Sequence, residues 1–373
     1  MVDSREQSKK LSEELFCSRG MGILLVVLVH VLGVDAIHGV RKLFSPDRAD
    51  LRQVTELIHS FNMATMIMAS GVVMSAFGRP DTSFGQFLRK KLDKLIVPML
   101  VWAPVLLIAQ ESSHGRLPGV SDGPLALLQF LFSAWFPPYS IFWYVYALAG
   151  CTLMSWLFRR WAEPRLGRWS RLTYFGLAVL LHLTVSTWRA RSSSGPGEYV
   201  ELILYWNRFF GLGFLIQPWL EPVRRFLAGL PVALQALVPV GLLSLLVFFY
   251  SVIPEERYET LTCAINGPLG FSMLLTLAMF LRERAAQWGG LVAGAWRRLV
   301  FTGSISMTLY LFHVYFVAGT RIVLERWFPG TPLAAHLVLG VLLGVGGPWL
   351  LFHVLKGQRS FHWSVGLSSV PQR

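Results

Sequence analysis

The chain has 373 residues, 54% of them hydrophobic and only 15% charged, with a mean hydropathy of +0.51. Soluble domains carry about 25% charged residues, and no soluble core absorbs this much apolar surface, so the composition predicts a polytopic membrane protein. The 34 Lys+Arg against 21 Asp+Glu fit basic loops at a cytoplasmic face. No basic cluster is interleaved with aromatics as a nucleic-acid groove requires, so nucleic acid is not an expected partner.

The first eighteen residues are polar and lack the short basic start and small-residue cleavage site of a removable signal. They read as a cytoplasmic segment, with insertion left to the first hydrophobic helix. Spans of about twenty mostly apolar residues fall near 20–40, 57–77, 95–110, 139–158, 172–188, 199–217, 233–253, 262–281, 300–323 and 333–355. The expected fold is therefore all-α, a polytopic membrane helix bundle of about ten transmembrane helices. Its one domain is 19–356, between a segment 1–18 and a tail 357–373. The apolar stretch 124–139 stops at Pro137-Pro138 and reads as an interfacial or re-entrant piece. With the N-terminus inside, inside segments hold 22 Lys+Arg and outside loops 9. That bias places both termini in the cytoplasm, and an eleventh span would spoil it. The stretch 191–198, RSSSGPGE, reads as a flexible external loop, and GVLLGVGG near 340 gives the last helix a small-residue face.

Cys17, Cys151 and Cys263 are far apart, with neither metal-ligand nor disulfide-framework spacing. No metal is expected. The informative residues are polar ones at membrane depth, which face a bundle interior or an aqueous cavity. In the first helix Arg19 and His30 are eleven apart. They share a face about 20° wide and lie about 16 Å apart along the axis, which places Arg19 at the cytoplasmic mouth and His30 near mid-membrane. Asp35 is about 140° round the helix from His30, a poor orienting partner unless the helix breaks near Gly33. His59, Asn62 and Ser70 line one face of the second helix, and Glu201, Tyr205 and Arg208 one face of the sixth. Ser306, Tyr310 and His313 do the same in the ninth. The plain reading of Glu201 and Arg208 is a structural pair, although seven residues is long for direct contact. The run Arg89, Lys90, Lys91, Lys94 before Pro98 serves either as a positive-inside anchor or as a phosphate clamp.

Several of these patterns together resemble the acyltransferase family 3 membrane proteins, which are integral-membrane O-acyltransferases. The resemblance rests on Arg19-Gly20 with His30 eleven residues after the Arg, and on FNMATMIMASG with Phe61, Met63, Ser70 and Gly71 in register. It extends to the basic run ending at Pro98, the pair Trp143-Tyr144, the segment RFFGLGF after helix six's polar face, and Ser306 with Tyr310-Leu311-x-His313. The matches keep the family's order over nearly the whole chain, and the fucose 4-O-acetylase-like branch is similar. The chain departs from the pattern at Phe16, where the family has Asp, and at Asn62, where it has His; His59 lies one turn earlier.

The resemblance implies transfer of an acyl group, acetyl above all, from cytoplasmic acyl-CoA to a hydroxyl of a glycan, lipid-linked sugar or secondary metabolite. It implies a multi-pass protein of a bacterial inner membrane, with acyl-CoA as donor substrate and no permanently bound cofactor. In that scheme Arg19, Arg89, Lys90, Lys91 and Lys94 hold the CoA phosphates, and His30 is the general base. Arg208 or Tyr310 supplies the oxyanion donor. Asn62, Trp143, Glu201 and His313 contact the acceptor. A transporter or flippase with a polar central pathway is the alternative, although no internal repeat supports it. A non-catalytic membrane partner of the same fold also stays open.

Overall fold

The computed structural model describes residues 2–33, 38–44, 48–79, 82–113, 115–118, 123–136, 139–189, 197–253 and 261–367. In chain order the helices are α1 (Val2–Leu32), α2 (Arg41–Phe44), α3 (Ala49–His59), α4 (Asn62–Phe77) and α5 (Phe84–Lys91). A π-helical turn, Leu92–Ile96, leads into α6 (Val97–Ser113), followed by α7 (Gly123–Phe132), α8 (Trp143–Trp161), α9 (Glu163–Leu166) and α10 (Ser170–Arg189). The remainder are α11 (Gly197–Ile216), α12 (Leu220–Ala228), α13 (Val232–Val252), α14 (Cys263–Trp288), α15 (Gly290–Ser304), α16 (Ser306–Trp327), α17 (Leu333–Leu355) and α18 (Arg359–Ser364). No strand occurs among the described residues. The all-α membrane bundle expected from composition is the observed architecture.

Among the described residues eight helical segments are long and apolar enough to cross a bilayer, and they coincide with eight of the ten expected spans. The other two expected spans, the fifth and sixth, are α10 and α11, each of 20 residues. Both are long enough, but His182, Ser186, Glu201, Asn207 and Arg208 dilute their apolar character. They pack on each other, and α11 lies across α4 in the centre of the bundle. Helix α7 has ten residues and buries none of them, exposing Leu125, Leu127, Leu128 and Phe132. At about 15 Å it is too short to span, as the interfacial or re-entrant reading requires. The segment Pro137-Pro138, Asp35 and residues 191–196 of the expected external loop lie outside the described residues.

Three boundaries differ from the expectation, each for a local reason. Helix α1 runs unbroken through residue 18, because its polar first half is a packed arm: Leu11, Leu15 and Glu14 are buried. Glu14 is held by Arg224 of α12 at 2.6 Å and by Arg282 of α14 at 3.4 Å. The same helix stops at Leu32 rather than near 40, since Gly33 turns the chain at φ +107°, a conformation glycine adopts without strain. The ninth expected helix begins at Ser306 rather than 300, because Ile305 breaks α15 from α16 with φ −103° and ψ 18°.

Helices in lipid gain little from the hydrophobic effect and associate through close packing of small residues. Two such crossings organise the bundle. A methyl group at Gly20 would overlap the Leu299 carbonyl oxygen, and one at Gly303 would overlap that of Phe16, so α1 and α15 touch backbone to backbone. In the same way Gly71 of α4 meets the Phe210 carbonyl and Gly213 of α11 meets that of Met68. The glycines of the RFFGLGF segment therefore serve helix contact. Around these crossings the main core gathers Ile23, Ile67, Met68, Phe142, Phe210, Phe214, Phe271 and Leu309. Arg159 seats its guanidinium on the Met74 carbonyl at 2.6 Å and so caps α4. Outward faces of α13 and α17 expose Leu237, Phe248, Leu342 and Leu350, as lipid contact requires.

The crossing makes a stability prediction. Gly303→Ala is expected to cost about 1–3 kcal/mol through overpacking. Gly294→Ala in the same helix, where nothing lies within 4 Å, is expected to be neutral or stabilising by up to about 1 kcal/mol. Unfolding of the two variants in detergent micelles measures the difference, and equal effects would refute the backbone contact.

Candidate active site

The crossing at Gly20 sets both the height and the rotation of α1, and two polar levels follow. At the lower one Arg19 donates from Nη2 to the Ser306 hydroxyl at 3.2 Å. Ser306 opens α16, the helix continuing from α15 after one intervening residue, so the α15 contact delivers it to Arg19. At the upper level the ring of His30 meets the ring of His313 edge to face, with centroids 4.7 Å apart and planes at 82°. The shared face of Arg19 and His30 is thus realised as two successive contacts with one neighbouring helix. His30 is in the last turn of α1 rather than the middle of a longer helix. Its depth is set by α16, where His313 lies seven residues into a helix of 22, about 10 Å from its start.

The hydrogen bonds fix the tautomers. His30 Nδ1 lies 2.9 Å from the Val26 carbonyl oxygen, and His313 Nδ1 lies 3.0 Å and 2.8 Å from those of Leu309 and Tyr310. A carbonyl only accepts, so each Nδ1 carries the hydrogen, and in the neutral ring each Nε2 keeps its lone pair. His313 is fully buried, and its Nε2 has no partner among the described residues. His59, the last residue of α3, stands within electrostatic range of His30. Asn62 opens α4 after the break at Ser60-Phe61; it is 1% exposed, lies beside Gly22 of α1, and its Oδ1 has no partner among the described residues.

A wall of aromatics closes one side. Tyr310 packs on Tyr144 with centroids 5.3 Å apart and on His313 at 6.1 Å. Its hydroxyl donates to the Ile141 carbonyl, which ties α16 to the start of α8. Serving as an oxyanion donor therefore requires Tyr310 to exchange that bond. Tyr144 lies within electrostatic range of Arg19 and of the Ser70 side chain. Its neighbour Trp143 instead stacks on Trp206 at 5.2 Å. Sequence pattern picks out the pair but not its inward member. Adjacent helical positions differ by about 100°, and only the packing of α8 decides which one faces Tyr310.

The basic run divides by burial. Arg89 and Lys90 are exposed on α5, while Lys91 and Lys94 are half-buried and Lys94 stands within electrostatic range of Arg19. Phe87 of α5 stacks on Trp156 at 5.2 Å, with the Lys91 ammonium 5.8 Å from its ring. The π-helical turn then carries Lys94 inward, and π segments interrupting α-helices are frequent at functional sites.

Arg208 belongs to a second polar group. Its guanidinium lies 4.2 Å from the Tyr205 ring and 4.8 Å from the Phe209 ring, and Nε and Nη2 are buried without a partner among the described residues. His182 of α10 faces Tyr205 edge to face at 5.4 Å and lies within electrostatic range of both Arg208 and Glu201. Ser186 donates to Glu201 at 3.1 Å. Glu201 and Arg208 are thus linked through His182 of α10. His182 and Ser186 escape a reading of single-helix stripes, because the signal lies between α10 and α11. The described contacts place Arg208 with this group rather than with His30.

Cys17, Cys151 and Cys263 form no disulfide among the described residues. Among the described residues no three His, Cys, Asp or Glu side chains are grouped to hold a metal ion.

The multi-helix membrane bundle thus brings two histidines together above a group of cations. The comparison with known families makes this specific: the acyltransferase domain profile matches residues 14–353, and the chain belongs to acyltransferase family 3. It is similar to the Nodulation protein NolL of Sinorhizobium fredii (strain NBRC 101917 / NGR234), at 25% identity over 203 residues, 54% of this chain and 48% of that protein. The match thus spans about half the length of that relative. No solved structure matches the chain.

The tautomers are directly measurable. Nitrogen NMR of histidine-labelled protein at neutral pH is expected to show Nδ1 protonated and Nε2 unprotonated for His30 and His313. An Nε2–H tautomer at His30 would remove it as a base.

Proposed function

We propose that this acyltransferase moves an acyl group, acetyl above all, from cytoplasmic acyl-CoA to a hydroxyl of a glycan or other acceptor, in a bacterial inner membrane. The observation that carries this reading is the vertical order on α1: a cation at Arg19, joined by Lys94, below an unprotonated His30 Nε2 beside His313. The alternation suits a thioester whose phosphates stay at the cytoplasmic mouth while its narrow pantetheine arm reaches inward. Arg19 Nε is buried without a partner among the described residues, leaving a donor for a phosphate oxygen. Lys91 and Lys94 add charge beside it, and Arg89 and Lys90 at the exposed rim steer the anion in.

In the transfer step the acceptor O–H gives its proton to His30 Nε2 as the oxygen attacks the thioester carbonyl. The C–O bond forms, the tetrahedral intermediate collapses with cleavage of the C–S bond, and the imidazolium returns the proton to the departing CoA thiolate. Val26 holds the proton on Nδ1, and His313 holds the ring edge-on, so that the lone pair stays directed. The intermediate's oxyanion needs a donor. Tyr310 is nearest to the histidines and serves if its hydroxyl leaves Ile141; Arg208 fits an acceptor-binding role better. Buried unpaired guanidinium donors are costly, and a ligand oxygen at Arg208, with hydroxyls on Glu201 and a ring against Trp143 and Trp206, satisfies them. Asn62 completes the acceptor side near α1.

His30→Ala is expected to lower acyl transfer by about 10²–10⁴-fold at unchanged expression and insertion, measured in membranes with labelled acetyl-CoA. Wild-type rates would refute the mechanism. For donor binding, Lys94→Gln is expected to raise the acyl-CoA KM more than Arg89→Gln does, with the larger part of the Arg89 effect lost at high salt. Equal, salt-insensitive effects would return the run to a membrane anchor.

A further inference from the structure

Residues 359–367, which continue beyond the part matched by the family profile, fold back into the bundle. Phe361 of α18 is 6% exposed and Val365 is fully buried. The Phe361 ring stacks on Phe312, the residue before His313, with centroids 6.4 Å apart and planes at 19°. Trp102 of α6 meets the same Phe312 edge-on at 4.6 Å, and its Nε1 donates to the Ser364 carbonyl at 2.9 Å. Gly366, at φ +66°, presses on the backbone of Lys94; a methyl group there would overlap the Lys94 carbonyl oxygen and meet its Cα at 3.0 Å. One short segment thus touches the basic π-helical turn, α6 and the helix of His313.

That turn needs such support. π-helical geometry is rare and depends on its surroundings. Lys90 and Arg19 moreover lie within electrostatic range of Lys94, and these like charges oppose its approach to the mouth when no anion is bound. A hold on the Lys94 side chain would neutralise the charge that the phosphates require. Gly366 instead grips the backbone of Lys94 and leaves its ammonium available.

We propose that residues 359–367 are a positioning clasp for the acyl-donor mouth, fixing the π-helical turn so that Lys94 stays beside Arg19 and in register with the His313 helix. The clasp rests on the reading of Lys94 and Arg19 as phosphate ligands. It contributes no atom to the substrate and acts through Lys94.

The test uses full-length protein in detergent, with CoA itself as the binding probe. Gly366→Ala is expected to weaken CoA binding and raise the acetyl-CoA KM by about tenfold, the scale of one lost charge-assisted contact, with kcat changed much less. Trp363→Ala, on the exposed side of the same helix, is the control and is expected to leave both unchanged. Trp102→Phe keeps the ring, removes the donor to Ser364 and gives a milder form of the same split, which covers a Gly366 variant that does not fold. Wild-type CoA affinity in folded Gly366→Ala would overturn the clasp, as would a loss of kcat at constant KM. Hydrogen exchange at residues 92–96 separates this proposal from the donor reading. If wild-type protein binds no CoA, the donor reading falls; faster exchange in Gly366→Ala then still supports the clasp, and unchanged exchange overturns it.

Discussion

The contact on which the rest of the structure depends is the backbone crossing of α1 on α15, where Gly20 lies against Leu299 and Gly303 against Phe16. In a bilayer, helices are not pushed together by burying apolar surface, so atomic closeness has to supply the attraction. Two glycines facing each other's carbonyls permit an approach that any side chain would block. The crossing leaves α1 little freedom to rotate or slide. Because α16 follows α15 after a single residue, it also fixes where α16 begins relative to α1. Arg19 meets Ser306, and His30 meets His313, as consequences of one packing decision.

The amino-terminal arm of α1 reinforces that decision electrostatically. Glu14 is 1% exposed and shared between Arg224 and Arg282. Ions taken out of water are stabilising only when geometry and partners are complete, and here three helices supply them. The same helix that carries the site is thus clamped below it by charge and beside it by backbone packing. Rigid elements are what a proton-transfer site needs, since a base displaced by about 1 Å loses much of its effect. At the π-helical turn, the C-terminal segment makes a comparable backbone contact, with Gly366 against Lys94.

How much of this was legible in the chain depends on whether a feature lies within one helix or between two. The alignment of Arg19 with His30, and of Ser306 with Tyr310 and His313, follows from helical periodicity alone, and both stripes face the site. The apolar spans were equally legible, because lipid imposes length and composition on each of them separately. The short α7 was readable from its prolines. By contrast, the sequence reading chose Trp143 of the pair Trp143-Tyr144, whereas the packing of α8 sets Tyr144 against Tyr310 and Trp143 against Trp206. The sequence offered Arg208 as an oxyanion donor without placing it relative to His30, and the structure sets it within electrostatic range of His182 of α10. Residues 1–18 and 357–367 looked like solvated ends because their polar residues hide isolated anchors: Leu11, Glu14 and Leu15 in one, Phe361, Val365 and Gly366 in the other.

The sequence by itself determined the class of protein, the approximate course of its helices, the family to which it is similar, and the two polar stripes that meet at the candidate site. These are properties of composition and of the 3.6-residue repeat, which act locally and leave a periodic trace. Only the tertiary structure decided that His30 lies in a final helical turn against His313, that Arg19 reaches Ser306, that Lys94 rather than Arg89 approaches Arg19, and that the C-terminal segment joins the bundle. Each of these depends on the rotation and depth of one helix against another. Close contacts between backbones set those quantities, and the residues that allow such contacts are glycines, whose sequence signal is the lack of a side chain.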